Sequence, residues 1–389
     1  MRHFAKLTET ELERLFAQPP ADFGAGDDRE RLAVALGATL YMPATRPSIA
    51  ADLVSQSAQG VVSVVLCLED AISDFEQAGA TLNVVKQLRV FAADVAACRT
   101  CRPMIFIRVR HPEQISMIAA ALGDEASILT GFVLPKFTDV SGVAFLDALS
   151  DTAQRVGHRL YAMPVLESAE VVHAETRQDT LLATSRLLAK HRDNVLAVRI
   201  GATDMCAAFG IRRGRDFTIY DVHAVASVIA DVVNVLGRAD GTGFVVTGPV
   251  WEYFPTHPRL FKPQLRISPF VEHDAKALRH QLITRDLDGL IREVVLDQAN
   301  GLTGKTVIHP SHVAAVHALS VVTHEEHSDA LDVLSADAAG GGVTASRYAN
   351  KMNEARPHRA WAERTLARGS VFGVAAEGVN VIDLLAATA

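Results

Sequence analysis

Five successive apolar stretches of this sequence end on residues that can hold ions or move protons. VSVVLCLED (62–70) closes on Glu69 and Asp70, MIFIRVR (104–110) carries Arg108 and Arg110, and GFVLPKF (131–137) holds Lys136. LYAMPVLES (160–168) then holds Glu167, and VLAVRIGATD (195–204) stops at Asp204. Carboxylates around two or three cations, with no His or Cys cluster among them, suit a hard, oxygen-preferring cation such as Mg2+ rather than zinc. Glu167 and Asp204, ending consecutive stretches, are the natural ligand pair, because Mg2+ is usually held by one or two carboxylates and takes water or substrate for the rest. Each charged end also has an ordinary explanation. Glu69, Asp70 and Asp204 could cap the helices that follow, and Arg108 and Lys136 could be snorkelling or ion-paired rim cations. His309 in KTVIHP (305–310) reads as a packing residue, since no partner for it is visible. Five charged ends in succession favour one shared site.

Such a convergence requires strands that finish on a common face. Three further runs, TLYMPA (39–44), GFVVTGPVWE (243–252) and KTVIHP (305–310), bring the number of strands to eight. They are continuously apolar, as in a parallel sheet covered on both faces, and the segments between them mostly show helical spacing. DVHAVASVIADVVNVLGRA (221–239) is the clearest helix, with Asp221 as its cap and Gly237 near its end. With no Gly-rich nucleotide turn after the first strand, the pattern predicts the α/β class and a closed (β/α)8 TIM barrel over residues 35–320. Residues 1–34 are expected to form an N-terminal helical segment, and residues 321–389 a C-terminal lid or oligomerisation extension with a Gly run and helical RAWAERTLARG (359–369). AEVVHAETRQDTLLATSRLLAKHRDN (169–194) is long for one barrel helix, and YFPTHPRLFKPQLRISPF (253–270) is a Pro-punctuated loop.

Composition narrows the classes of function. With 389 residues, 49% hydrophobic and 21% charged, the chain is an ordinary globular one, larger than a typical single core. A net charge of -7 offers no basic surface for nucleic acid, and no apolar run is long enough to span a membrane. MRHFAKLTETELERLF (1–16) has no signal-peptide pattern, so a cytoplasmic protein is expected. The CxxC of Cys98 and Cys101 lacks the second pair that a zinc site needs.

LYMPATRP (40–47), LEDA (68–71), IRV (107–109), LPK (134–136), LES (166–168), GATD (201–204) and GKTVIHPSHV (304–313) occur in this order at the strand positions. In this the sequence resembles the citrate lyase beta-subunit-like enzymes of the HpcH/HpaI aldolase superfamily, over nearly all of the predicted barrel. The resemblance implies a Mg2+-dependent lyase that makes or breaks a carbon–carbon bond in a small hydroxy or oxo acid or its thioester, with coenzyme A as a candidate carrier. It implies Glu167 and Asp204 as metal ligands, Arg108 as the group holding the oxo-acid carboxylate and the enolate oxygen, and Glu69 and Asp70 as the acidic pair after the second strand. Lys136 joins these as a catalytic candidate, and Arg46 matches a position associated with the carrier's phosphates. A closed homo-oligomer, with the tail after Gly340 against a neighbouring copy, is expected as well.

Several departures mark a divergent subgroup. The spacing from Glu167 to Asp204 is longer than usual, and NKMNEARPH (350–358) has Asn353 after Met352 where related lyases carry a Met-Asp lid motif. The loops GIRRGRDFTIYDV (210–222) and RLFKPQLRISPF (259–270) add Arg212, Arg213, Arg215, Arg259, Lys262 and Arg266 near the expected mouth. Arg212 and Arg213 could bind a substrate more anionic than a simple keto acid, or pair with acids such as Asp216 and Asp221 and order the loop. Two other readings stay open at this point: chemistry on a phosphorylated or phosphoenolpyruvate-like substrate, and a non-catalytic ligand-binding or assembly protein on the same barrel.

Overall fold

The eight apolar runs form eight parallel strands that close into a barrel in their order along the chain. The computed structural model describes residues 1–97, 100–254 and 287–388. Its barrel strands are β1 (Ala38–Pro43), β2 (Ser63–Cys67), β3 (Met104–Arg108), β4 (Gly131–Leu134), β5 (Tyr161–Leu166), β6 (Val198–Ile200), β7 (Val246–Trp251) and β8 (Lys305–Val307). The seam closes where β1 meets β8, with Thr39 opposite Thr306 and Leu40 opposite Val307. The fold is therefore the α/β TIM barrel expected from the sequence. Cys98, Arg259, Lys262 and Arg266 lie outside the described residues.

Both faces of each strand are covered, which is why alternation gives way to continuous apolar runs. Val65, Phe106, Val133, Met163 and Val165 belong to the cluster that fills the barrel. Their outward neighbours Val64, Ile105, Ile107, Phe132 and Leu134 pack with helix residues such as Leu53, Val84, Ile118 and Leu149. Each fully buried side chain of this size contributes roughly 1.5–3 kcal/mol, so both layers specify the same strands.

Local chemistry sets the helix limits. Thr138 and Ser141 cap Asp139–Val156 reciprocally, and Gly157 ends that helix in the left-handed region at φ 71°. The long stretch after β5 is two helices, Ala169–Val172 and Ala174–Lys190. Asp221 is not the cap of the next helix, which runs His223–Leu236. Its carboxylate instead accepts from the Thr218 N–H at 2.7 Å and closes a short 3-10 turn before that helix.

One end of the barrel is plugged. Phe23, Leu32 and Leu36 from the N-terminal segment join Val371 and Phe372, at the end of helix Ala355–Phe372, in the cluster that fills the interior. Buried His3 stacks on Phe372 with 4.2 Å between ring centroids and meets His317 edge-on at 4.4 Å. A short strand, Phe16–Gln18, pairs antiparallel with Val374–Ala375. Of the tail expected to reach a neighbouring copy, helix Ala355–Phe372 packs on this chain's own helices Arg29–Ala35 and His324–Ala338. The hairpin of Val343–Ala345 and Met352–Glu354 leaves Val343, Tyr348 and Met352 exposed. Among the described residues no helix is long and apolar enough to cross a membrane.

Candidate active site

With one end plugged, the mouth is at the C-terminal ends of the strands, where barrels of this type present their loops. Arg108, the last residue of β3, draws the charged ends together. Its Nη2 lies 2.6 Å from Glu69 Oε2, 3.1 Å from Asp70 Oδ2 and 2.9 Å from Glu167 Oε1. Lys136 Nζ approaches Glu69 Oε1 to 2.6 Å and Asp70 Oδ1 to 3.5 Å. The backbone N–H of Lys136 donates to Glu167 Oε1 at 3.0 Å. Lys136 has φ +46°, a left-handed conformation that is uncommon for a residue with a side chain and concentrates at functional sites. Arg110 acts on the loop that carries the acidic pair: its guanidinium donates to the carbonyls of Leu68, Glu69 and Ile72 and pairs with Asp74.

These groups differ in burial, and therefore in protonation. Glu167 is 4% exposed and Glu69 7%, whereas the side chains of Asp70 and Lys136 are half exposed. Burial pushes the Glu167 carboxyl up to about 7; Asp204 and Glu69 add to the rise, and Arg108 with the Lys136 N–H offsets it in part. Burial raises Glu69 as well. Asp70 is held below its usual range, because contacts with Glu69, Arg108 and Lys136 outweigh its partial burial. Environments that push two neighbouring carboxyls apart are what an acid–base pair needs.

Asp204 lies in the first turn of helix Ala202–Ala207, just past β6, and acts electrostatically on both Glu167 and Lys136. It does not cap that helix: Gly201 occupies the cap position. Gly201 also makes room for the neighbouring acid, since a Cβ there would stand 2.0 Å from Glu167 Oε2. Four carboxylates (Glu69, Asp70, Glu167, Asp204) thus meet two cations (Arg108, Lys136), four minus two leaving a formal excess of two negative charges. An oxygen-only donor set with that excess fits a divalent cation of the Mg2+ kind. Among the described residues no group of three or more His, Cys, Asp or Glu side chains is arranged to hold a metal ion. A cation here would have the Glu167 and Asp204 carboxylates and fill its shell with water and ligand. Among the described residues Arg108 Nε is buried without a hydrogen-bond partner.

The remaining predicted residues lie outside this network. Arg46 is exposed and its Nε donates to Asp52 at 2.7 Å, while Asn83 fixes the turn before it through the carbonyls of Ala44 and Arg46, both at 2.8 Å. Arg212 is exposed. Arg213 is not available as a surface cation: it is 4% exposed, donates to the Val250 carbonyl at 2.9 Å and pairs with Glu293. Glu293 also pairs with Lys305 at 2.7 Å, Lys305 with Asp297 at 2.7 Å, and Tyr220 donates to Asp297 at 2.8 Å. This buried network between β8 and helix Leu287–Ala299 makes Arg213 the anchor of its loop, correcting its expected role in binding substrate. His309 packs, stacking on Phe254 with 5.0 Å between centroids. Asn353 is buried in the C-terminal hairpin and donates to Asp329 Oδ1 at 2.8 Å. Sequence reasoning left Gly201 and the Arg110 clamp unassigned, because both act through residues on other strands.

Residues 30–374 match the model of a family described as C–C bond lyase of the TIM-barrel fold. No curated protein matches the chain. Among solved structures, a citrate lyase from Burkholderia xenovorans is 16% identical with a TM-score of 0.56, the match covering 90% of this chain and 96% of that one. Protein CitE from Mycobacterium tuberculosis, in complex with magnesium, acetoacetate and coenzyme A, is 19% identical with a TM-score of 0.51, over 86% of this chain and 98% of that one. At these identities the likeness is one of fold.

Proposed function

Because this chain belongs to the C–C bond lyase family of the TIM-barrel fold, we propose that it is a Mg2+-dependent lyase that cleaves or forms a carbon–carbon bond in a small hydroxy or oxo acid or its thioester. The observation that carries this reading is the mouth itself, where four carboxylates surround Arg108 and Lys136. The complex of CitE with magnesium, acetoacetate and coenzyme A is consistent with the same cation and ligand class. The alternative of a phosphorylated substrate drew on the arginine-rich loop of residues 210–222, in which Arg213 is buried.

Cleavage beside a hydroxyl-bearing carbon takes the hydroxyl proton, turns that carbon into the carbonyl of an oxo acid, and leaves the electron pair of the broken bond on the other fragment as an enolate. Mg2+, when bound by Glu167 and Asp204, supplies the Lewis acidity that polarises the oxygen at the reacting carbon. Arg108 binds the carboxylate and places a fixed positive charge beside the developing enolate. The Glu69–Asp70 pair, steered by Lys136 and by the Arg110 clamp, accepts the hydroxyl proton and returns one to the enolate carbon.

The test is turnover of hydroxy acids, free, thioesterified and phosphorylated, with and without Mg2+, in the parent and in Glu167→Gln and Asp204→Asn. Mg2+-dependent cleavage of a free or thioesterified acid, lost in both variants, is expected. No reaction across the panel with ligand binding retained would favour a non-catalytic binding protein.

A further inference from the structure

Arg199 lies in the middle of β6 and is 1% exposed among the apolar side chains that fill the barrel. Its Nη1 meets Met163 Sδ at 3.8 Å, its Nη2 donates to Thr306 Oγ1, and its guanidinium carbon stands 5.3 Å from the centre of the Tyr41 ring. All three partners are neutral. Among the described residues no carboxylate pairs with it, and Arg108 is a like charge close enough to repel it. An unpaired charge in an apolar interior disfavours folding, whereas Met or Leu would fill the same volume at no such cost. Packing therefore gives no reason for an arginine here.

Its position supplies one. Arg199 is opposite Val165 of β5, and Glu167 is the next residue on the face of that strand that carries Val165. The Tyr41 ring that faces the guanidinium also has Arg108 and Glu167 as electrostatic neighbours. The mouth carries a formal excess of two negative charges, which a divalent cation cancels. Arg199 beneath it then leaves one positive charge over, in a setting where water does little to screen it.

We propose that Arg199 is a positioning residue that gives the Mg2+-loaded mouth its surplus positive charge and so selects an anionic oxo acid as ligand. The inference rests on the lyase reading above, and deepens it. A charge that acts this way favours the anion and opposes the metal, so its removal moves the two affinities in opposite directions. Loss of structure lowers both.

The experiment is titration calorimetry of the full chain and of Arg199→Met, first with Mg2+ and then with pyruvate at saturating Mg2+, alongside thermal unfolding. In Arg199→Met, Mg2+ should bind severalfold more tightly, pyruvate roughly tenfold more weakly, and Tm should hold or rise. A fall in both affinities, no change in either, or a variant that does not fold overturns the proposal and leaves Arg199 a structural role. A parent protein that binds Mg2+ but no pyruvate overturns this inference alone, whereas the lyase reading falls only with the turnover panel above, so the two failures are distinguishable.

Discussion

Arg108 Nη2 and Glu167 Oε1 lie 2.9 Å apart, so one charge-assisted hydrogen bond fastens the end of β3 to the loop after β5 across the mouth. The same nitrogen reaches Glu69 and Asp70. The plane of the guanidinium is therefore fixed before any ligand arrives.

Arg108→Lys should lower kcat/KM by about a hundredfold or more, because an ammonium cannot reproduce the planar fork of a guanidinium. Steady-state kinetics on the best substrate of the panel measures this. Parent-like values would remove Arg108 from the site.

Gly201→Ala places a methyl group 2.0 Å from Glu167 Oε2 and 2.5 Å from Glu167 Cβ. Glu167 must turn away, and Mg2+ affinity should fall by about tenfold, with roughly 1–3 kcal/mol of overpacking in thermal unfolding. Unchanged Mg2+ affinity by calorimetry would separate Glu167 from the metal.

Adjacent arginines should behave differently. Arg213→Ala leaves Glu293 short of a buried partner and should cost about 3–5 kcal/mol of stability. Exposed Arg212→Ala should leave Tm within about 1 kcal/mol of the parent while raising KM for an anionic substrate and reducing its salt dependence. Unchanged KM and salt dependence in Arg212→Ala would leave this loop without a role in substrate binding.

His3 and His317 should make the plugged end sensitive to acid. Burial holds both below 6.5, His3 with a further push from His317, and His317 goes down to about 3. The folded protein keeps them neutral while the unfolded chain takes up protons. Their contribution to stability is therefore complete above pH 6.5 and is lost as pH falls from there towards about 3. His317→Gln can still accept from the Ala38 N–H, now 3.2 Å from Nε2, and should show a shallower loss of Tm between pH 7.5 and 5. Coincident pH profiles would place the acid sensitivity elsewhere.

The strands were legible because burial on both faces makes hydrophobicity alone mark them, and the site was legible because their charged ends interrupt that pattern at the mouth. Glu69, Arg108, Lys136 and Glu167 could be read as neighbours from strand order alone. What local sequence could not separate was Arg212 from Arg213: the partners that bury the second, Glu293 and Val250, are 80 and 37 residues away. Asp204 ended an apolar run, and only the fold shows that the run had already turned into a helix there. Gly201 carries no chemistry of its own, and its meaning depends on a carboxylate from the neighbouring strand.

The pairing of Phe16 with Ala375 and of β1 with β8 sets a schedule for the making of the protein. A chain leaves the ribosome N-terminus first, so β1 emerges with one edge that stays open until β8 has been added, and Phe16 waits longer still for its strand partner Ala375. Contacts between such distant parts of a chain are slow to form, and an open strand edge invites pairing with other chains. Newborn copies therefore pass through an interval in which the half-built barrel shows an unpaired strand edge, and the arrival of β8 ends it.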